Sequence, residues 1–202
     1  MVYEQYYPFA ELKLEYEDNA LEPNIGRFTV FFHYNEHYLP TLKKLNAMVL
    51  EQPQAQNISL ENLAHWKDID IARAAASVFG HELYFKSLSP NRKEPSDHLK
   101  MILNKQFGSV EKFLKAIKET AAKVYGSGFT WVCEDCCGGL FIMSTPNHTL
   151  PEGENIRPVC ALDLWEHSYY LDRQNHRDDY VDAVLEILTG TKWRKTFYIN
   201  SE

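Results

Sequence analysis

The chain has 202 residues, with 21 Lys and Arg against 28 Asp and Glu, for a formal charge of −7. At 45% hydrophobic and 24% charged it is neither disordered nor collagen-like, and its length suits one compact domain or two small lobes sharing an interface. The acidic balance excludes a general nucleic-acid binder, which needs clustered Lys and Arg to meet phosphates.

The start, Met1-Val2-Tyr3-Glu4-Gln5-Tyr6-Tyr7-Pro8-Phe9, has neither the basic lead nor the apolar run of a signal peptide, and it is too acidic for a transit peptide. No window approaches the ~18 apolar residues of a membrane span. Cys133, Cys136 and Cys137 crowd together, with Cys160 apart. That is a poor disulfide framework, so reduced thiols and a cytoplasmic location are expected.

In chain order, a helical pattern runs from about Leu21 to Leu50. Phe28, Phe31, Phe32, Leu39, Leu42, Leu45 and Met48 recur at three- and four-residue intervals. Leu21-Glu22-Pro23 marks its start, and Pro40 is expected to kink it or end its first part. A polar loop covers 52–57, and Ser59 should cap a short helix. A second long helix spans Ile69 to Leu88. Its Ala72, Ala74, Ala75 and Ala76 leave room for another helix to approach closely. Ser89-Pro90-Asn91 ends it and is the expected boundary between an N-terminal α-hairpin domain, 1–90, and a C-terminal α/β domain, 91–202.

Helices are expected over 96–107 and 109–125, parted by Gly108, with Glu111, Lys112, Lys115 and Lys118 on a solvated side of the second. Phe129–Cys133 and Leu140–Ser144 read as a β-hairpin around Gly138-Gly139, and Val159–Leu164 as a third strand. A last helix covers Asp179–Leu188, with a tail from Lys192. The predicted class is α+β: a long helical hairpin, then a small three-stranded antiparallel sheet flanked by helices.

Imidazoles and a carboxylate stand where these elements can converge. His33 and His37 share a helix face at i and i+4, and His81 follows the alanine-rich stretch. Asp163 and His167 are also four apart. If the two long helices pack antiparallel, His33 and His81 meet between them. Three imidazoles and one carboxylate make a mixed N/O set that suits Fe, Mn, Zn or Co better than Cu(I). Packing histidines and a surface Asp/His contact are the alternatives that spacing alone leaves open.

Asp163-Leu164-Trp165-Glu166-His167-Ser168-Tyr169-Tyr170 resembles the signature of the iron/manganese superoxide dismutases, Asp-x-Trp-Glu-His-Ala-Tyr-Tyr. Other segments agree in the same order. They are Asn19-Ala20-Leu21-Glu22-Pro23, His33-x-x-x-His37, Val78 to Phe85, Phe107-Gly108-Ser109, Gly126 to Trp131, and Gln174-Asn175-His176-Arg177. The resemblance covers roughly Tyr7 to Trp193.

The resemblance implies a metal site between the two lobes. Its ligands are His33, His81, Asp163 and His167, with a solvent molecule as fifth ligand, and it holds one Fe or Mn ion per chain. The implied reaction takes superoxide to O2 and H2O2 while the metal alternates between +3 and +2. The implied partners are this small anion and a second copy of the chain. In that homodimer Glu166 and Tyr170 cross the interface to His167 and His37. Trp131 and Trp165 complete the implied set of site residues.

The chain departs from the family around the solvent. Where members place a Gln four residues before the second ligand, this chain has Ser77; at the alternative hairpin position it has His148, the inferred solvent partner. The gateway Tyr, eight residues after the first ligand, is replaced by Thr41, a weaker proton source. Tyr34 and Tyr38 lie at other helical phases. Gly80 stands for Asn, and Phe85 and Phe129 for Trp, in the pocket wall.

A net-negative protein repels an anionic substrate, so steering must be local. Lys43, Lys44, Arg173 and above all Arg177 are the candidates. A non-catalytic or weakly active metal-binding descendant of the fold is a competing reading. A non-haem oxygenase, normally built on two His and one carboxylate, is a third. Cys133-x-x-Cys136-Cys137 has no family role, and a closed zinc site would need about four ligands.

Overall fold

The computed structural model describes residues 5–91, 94–153 and 155–188. The first long helix begins at Arg27, with Gly26 at its N-cap, rather than at Leu21. The Leu21–Asn24 stretch forms turns instead, closed by bonds such as Ile25 N–H to the Leu21 carbonyl at 3.1 Å. The helix then runs as α1 (Arg27–Phe32), a π-helical stretch (His33–Tyr38) and α2 (Leu39–Leu50). Pro40 neither ends it nor stands in a regular ladder. It occupies the first turn of α2, directly after the wider π turns have relaid the hydrogen bonds, where a missing N–H is tolerated.

Ser59 caps α3 (Leu60–Leu63) by accepting from the Asn62 N–H. Asp68 caps α4 (Ile69–Ser87) the same way, from the N–H groups of Asp70 and Ile71. All four alanines of α4 are buried, and α4 packs against α2, α3 and the sheet. Ser96 caps α5 (Asp97–Phe107), and Gly108 takes the left-handed conformation that ends it, φ 88°. Ser109 caps α6 (Val110–Ala122).

The three strands are β1 (Gly128–Glu134), β2 (Leu140–Pro146) and β3 (Arg157–Asp163), antiparallel in the order β2-β1-β3. The register slips between Val132 and Cys133. Val132 faces Cys160, but Cys133 faces Pro158, so the proline sits on an edge strand at an irregularity. At the other end, Phe129 pairs with Asp163, which leaves the Asp163 carboxyl fully buried against the helical hairpin. Two short turns, 166–168 and α7 (Tyr170–Arg173), lead to α8 (Arg177–Ile187), which starts two residues before the expected helix. The tail from Lys192 lies outside the described residues.

The α+β class and the element order follow the sequence expectation. Among the described residues, no helix is long and apolar enough to cross a membrane.

Candidate metal centre

Four elements bring four side chains together. His33 opens the π stretch, His81 lies midway along α4, Asp163 ends β3, and His167 sits in the turn after it. Their ligating atoms all lie within 4.8 Å of one another. Asp163 Oδ2 is the focus, at 3.1 Å from His33 Nε2, 3.2 Å from His167 Nε2 and 3.7 Å from His81 Nε2. His33, His81 and Asp163 are buried, while His167 keeps a small exposed edge.

Electrostatics suit a cation at this point. Burial alone would push the Asp163 carboxyl up. The charge and hydrogen bond of His167, with the hydrogen bond of His33, hold it well below the usual carboxylate range instead. Burial drives His33 down to about 4 and His81 well below its usual value, so both are neutral imidazoles, as a metal requires.

The arrangement fits an ion on one further observation. His81 Nδ1 donates to the Ser77 carbonyl at 2.7 Å, which leaves Nε2 as the lone-pair nitrogen. That Nε2 is buried and has no hydrogen-bond partner. A buried acceptor left unpaired is unfavourable unless a cation takes it.

A cavity of about 380 Å³ opens onto this cluster. Glu36, His37, Thr41, Ser77, His148, Trp165 and Glu166 line it, together with His81 and His167. His148 stacks on Trp165, with ring centroids 4.6 Å apart and planes 15° apart, and stands 5.6 Å from the His81 ring. Burial lowers its pKa to about 4. His37 stacks on His167 at 4.1 Å and is exposed on its far side. Ser77 thus serves the centre through its backbone carbonyl, a role its short side chain did not advertise.

Thr41 reaches the cavity, but its hydroxyl donates to the His37 carbonyl at 2.7 Å. Tyr38 and Tyr34 stay out of it. The buried Tyr38 phenol accepts from the Leu12 N–H at 2.7 Å and donates to Glu82 at 3.2 Å. Tyr34 bonds Glu11 and the Leu12 carbonyl. Trp131 is fully buried, stacked on Phe129 at 5.1 Å, and its Nε1 donates to Thr145. The missing side chain at Gly80 makes room for Phe129, whose ring would lie 3.2 Å from a Cβ added there.

Arg177 does not line the cavity. Its guanidinium donates to the carbonyls of Val124 and Gly126. Arg173 likewise donates to the Asn24 carbonyl at 2.7 Å. Glu166 and Tyr170 face outward, Tyr170 with 53% of its surface exposed.

Sequence reasoning passed over two buried groups. Tyr180 donates to the Asp163 carbonyl at 2.7 Å and accepts from Tyr84 at 3.1 Å, and Tyr84 in turn stacks on His33. Glu82, one residue after a ligand, is buried and held by Gln5 at 2.6 Å and Lys86 at 2.7 Å.

A four-ligand N/O centre between a helical hairpin and a small sheet defines a mononuclear metalloprotein. Residues 8–89 match the family profile described as iron/manganese superoxide dismutases, alpha-hairpin domain, and residues 95–196 match its C-terminal domain. The chain is 34% identical to a superoxide dismutase (Fe) of Legionella pneumophila, over 87% of this chain and 92% of that protein. It is 33% identical to a superoxide dismutase (Mn) of Thermus thermophilus, over 90% and 93%. It is 32% identical to a superoxide dismutase (Mn/Fe) of Rickettsia bellii, over 89% and 88%. The chain belongs to the iron/manganese superoxide dismutase family.

Proposed function

We infer that the protein is a superoxide dismutase, working with one Fe or Mn ion held by His33, His81, Asp163 and His167. The observation that carries the reading is the convergence of these four groups within 4.8 Å, with the His81 Nε2 buried and unpartnered. Held by these four groups, the ion would supply the one-electron chemistry that takes superoxide to O2 and, with two protons, to H2O2.

The residues around the ion orient and tune it. Ser77 fixes the tautomer of His81 through its carbonyl, and Tyr180 holds the backbone of Asp163. Neutral His148, clamped against Trp165, is the hydrogen-bond partner of solvent in the cavity. Trp165 stacks on His148 and Phe129 packs tilted against it at 5.6 Å, which fixes the ring in place. Thr41 has committed its proton to the His37 carbonyl, so it contributes a lone pair that holds water rather than an acid. Protons for peroxide therefore arrive by water along the open side lined by Glu36, His37 and Glu166.

The working unit is a homodimer. Glu166, which lines the cavity with His37, and Tyr170 are exposed, and α1, with exposed Phe28, Phe31 and Phe32, packs against their turn and α7, where Leu171 is also exposed. Pairing this face about a two-fold axis covers the apolar surface and puts Glu166 and Tyr170 on the partner's site. Lys43, Lys44 and Arg177 supply the local positive field for the anion. The lobes divide near residue 90, two ligands to each, and the free cysteines fit a cytoplasmic location. A donor set that is complete gives no support to a non-catalytic descendant, and its third imidazole disfavours the oxygenase.

Reconstitution with iron and with manganese separately tests the reading. About one ion per chain, with superoxide consumption far above that of the free ion, is the expected result. A loaded protein no more active than free metal would overturn it.

A further inference from the structure

A second cluster of chemistry-bearing side chains sits at the far end of β1 from the metal centre. Six residue steps along β1 separate it from Gly128, about 20 Å at ~3.3 Å per residue. The β1–β2 hairpin turns there through Asp135, Cys136, Cys137 and Gly138, with the Gly138 N–H bonded to the Asp135 carbonyl at 3.1 Å. Adjacent side chains on a strand point to opposite faces. At the two central positions of this turn they converge, and the thiols of Cys136 and Cys137 stand 3.8 Å apart, both exposed. Asp135 locks the turn, its Oδ1 accepting from the N–H groups of Cys137 and Gly139 at 2.8 Å each.

The thiol separation carries the argument. Two sulfurs at ~2.3 Å from a tetrahedral zinc ion stand about 3.8 Å apart, the edge of the tetrahedron. The pair is thus already set as a two-toothed chelate, and little ordering is left to pay on binding. The thiols border a cavity of about 600 Å³, whose rim also carries Glu134, Asp135 and His98. Asp135 and Lys105 share this rim, and Glu134 is already paired with Arg157 at 3.0 Å, so the thiols are what single the site out. Cys133 and Cys160, the other cysteines, are buried in the sheet and take no part.

We propose that Cys136 and Cys137 form a second metal site, a bidentate dithiolate that takes a soft divalent cation of the zinc–cadmium type, with solvent completing the coordination sphere. Each thiol gives up its proton to the buffer as its sulfur binds, so one cation displaces two protons. The same surroundings disfavour peroxide as the thiols' main reactant. The hydrogen bond and charge of Cys136, then Asp135, raise the Cys137 pKa, which keeps the thiolate scarce until a cation displaces the proton.

The test uses the reduced, Fe- or Mn-loaded enzyme and Cd2+ as probe. Expected are one Cd2+ per chain beyond the resident ion, a thiolate-to-cadmium absorption band, two protons released and superoxide turnover unchanged. Cys136→Ser and Cys137→Ser should each weaken Cd2+ binding at least tenfold. Without cadmium, a thiol reagent should modify two cysteines per folded chain, and bound cadmium should protect both. Uptake undiminished in the Cys136→Ser/Cys137→Ser double variant would overturn the proposal. So would protection of only one thiol, or rapid closure of a Cys136–Cys137 disulfide by peroxide together with no cadmium uptake.

Discussion

The His81 ring reaches the metal cluster with one nitrogen already bound: its Nδ1 donates to the Ser77 carbonyl, one helical turn earlier, at 2.7 Å. The bond fixes which nitrogen faces Asp163, and it comes from backbone, so substitutions of the Ser77 side chain leave it in place. Ser77→Ala is accordingly expected to keep its metal content. Asp163→Asn removes the anionic focus of the site and is expected to lower metal per chain by at least tenfold. Elemental analysis of the two purified variants checks both.

His148 offers a sharper contrast. His148→Ala should retain the ion but lose roughly 10–100-fold in turnover, the usual range for groups that orient a metal's surroundings. His148→Gln restores a hydrogen-bonding side chain and should recover part of that loss. Equal activity in wild type and His148→Ala would remove His148 from the machinery.

If the proposed dimer holds, Glu166→Ala yields protein that sediments as monomer and has lower activity, since in that dimer each site takes a group from the other copy. A fully active dimer would contradict the crossing arrangement.

Neutralising Arg177 as Arg177→Gln should slow turnover by a factor of roughly 2–10 at low salt, and less as screening grows beyond 0.1 M, where the Debye length is ~10 Å. The same change releases the carbonyls of Val124 and Gly126, so stability should fall by about 1–3 kcal/mol. An unchanged salt dependence, measured beside a lowered melting temperature, would leave Arg177 as a tether alone.

Acid should unfold the metal-free protein more readily than the loaded one. His33 is held at about 4 when folded and rises to ~6.5 when unfolded, so the unfolded chain binds more protons between those values. Stability is complete above about pH 6.5 and falls as pH drops toward 4, by roughly 2–3 kcal/mol from His33 at about pH 4.5. Urea unfolding of metal-free protein at neutral and acid pH reads this directly. A flat profile would count against a neutral, buried His33.

Much of the fold was legible because its signals are local. Ser59, Ser96 and Ser109 cap the helices they announce, and Gly108 ends α5 as its position implied. Asp163 and His167 carried their own spacing. What stayed hidden depends on distant partners or subtle register. Glu82 has a local partner in Lys86, four residues on, but its bond from Gln5 spans 77 residues and no nearby pattern announces it. Arg177 was legible as a charge but not as a clamp on two carbonyls contributed by the α6–β1 connection. The convergence of Cys136 and Cys137 arises from a turn geometry that the dipeptide itself does not encode.

The π-helical stretch at His33–Tyr38 works as a reading-frame insertion in the first helix. The wider i→i+5 turn takes up about one residue more than the 3.6 of an α turn, so the helix beyond it keeps the phase of an uninterrupted ladder. Leu42, Leu45 and Val49 accordingly stay buried along α2. Buried His33 and buried Tyr38, five residues apart, can face the interior together only because of the wider turn. The added residue therefore changes what this segment presents to the interior, a ligand at one end and a phenol at the other, while the packing on either side of it is left undisturbed.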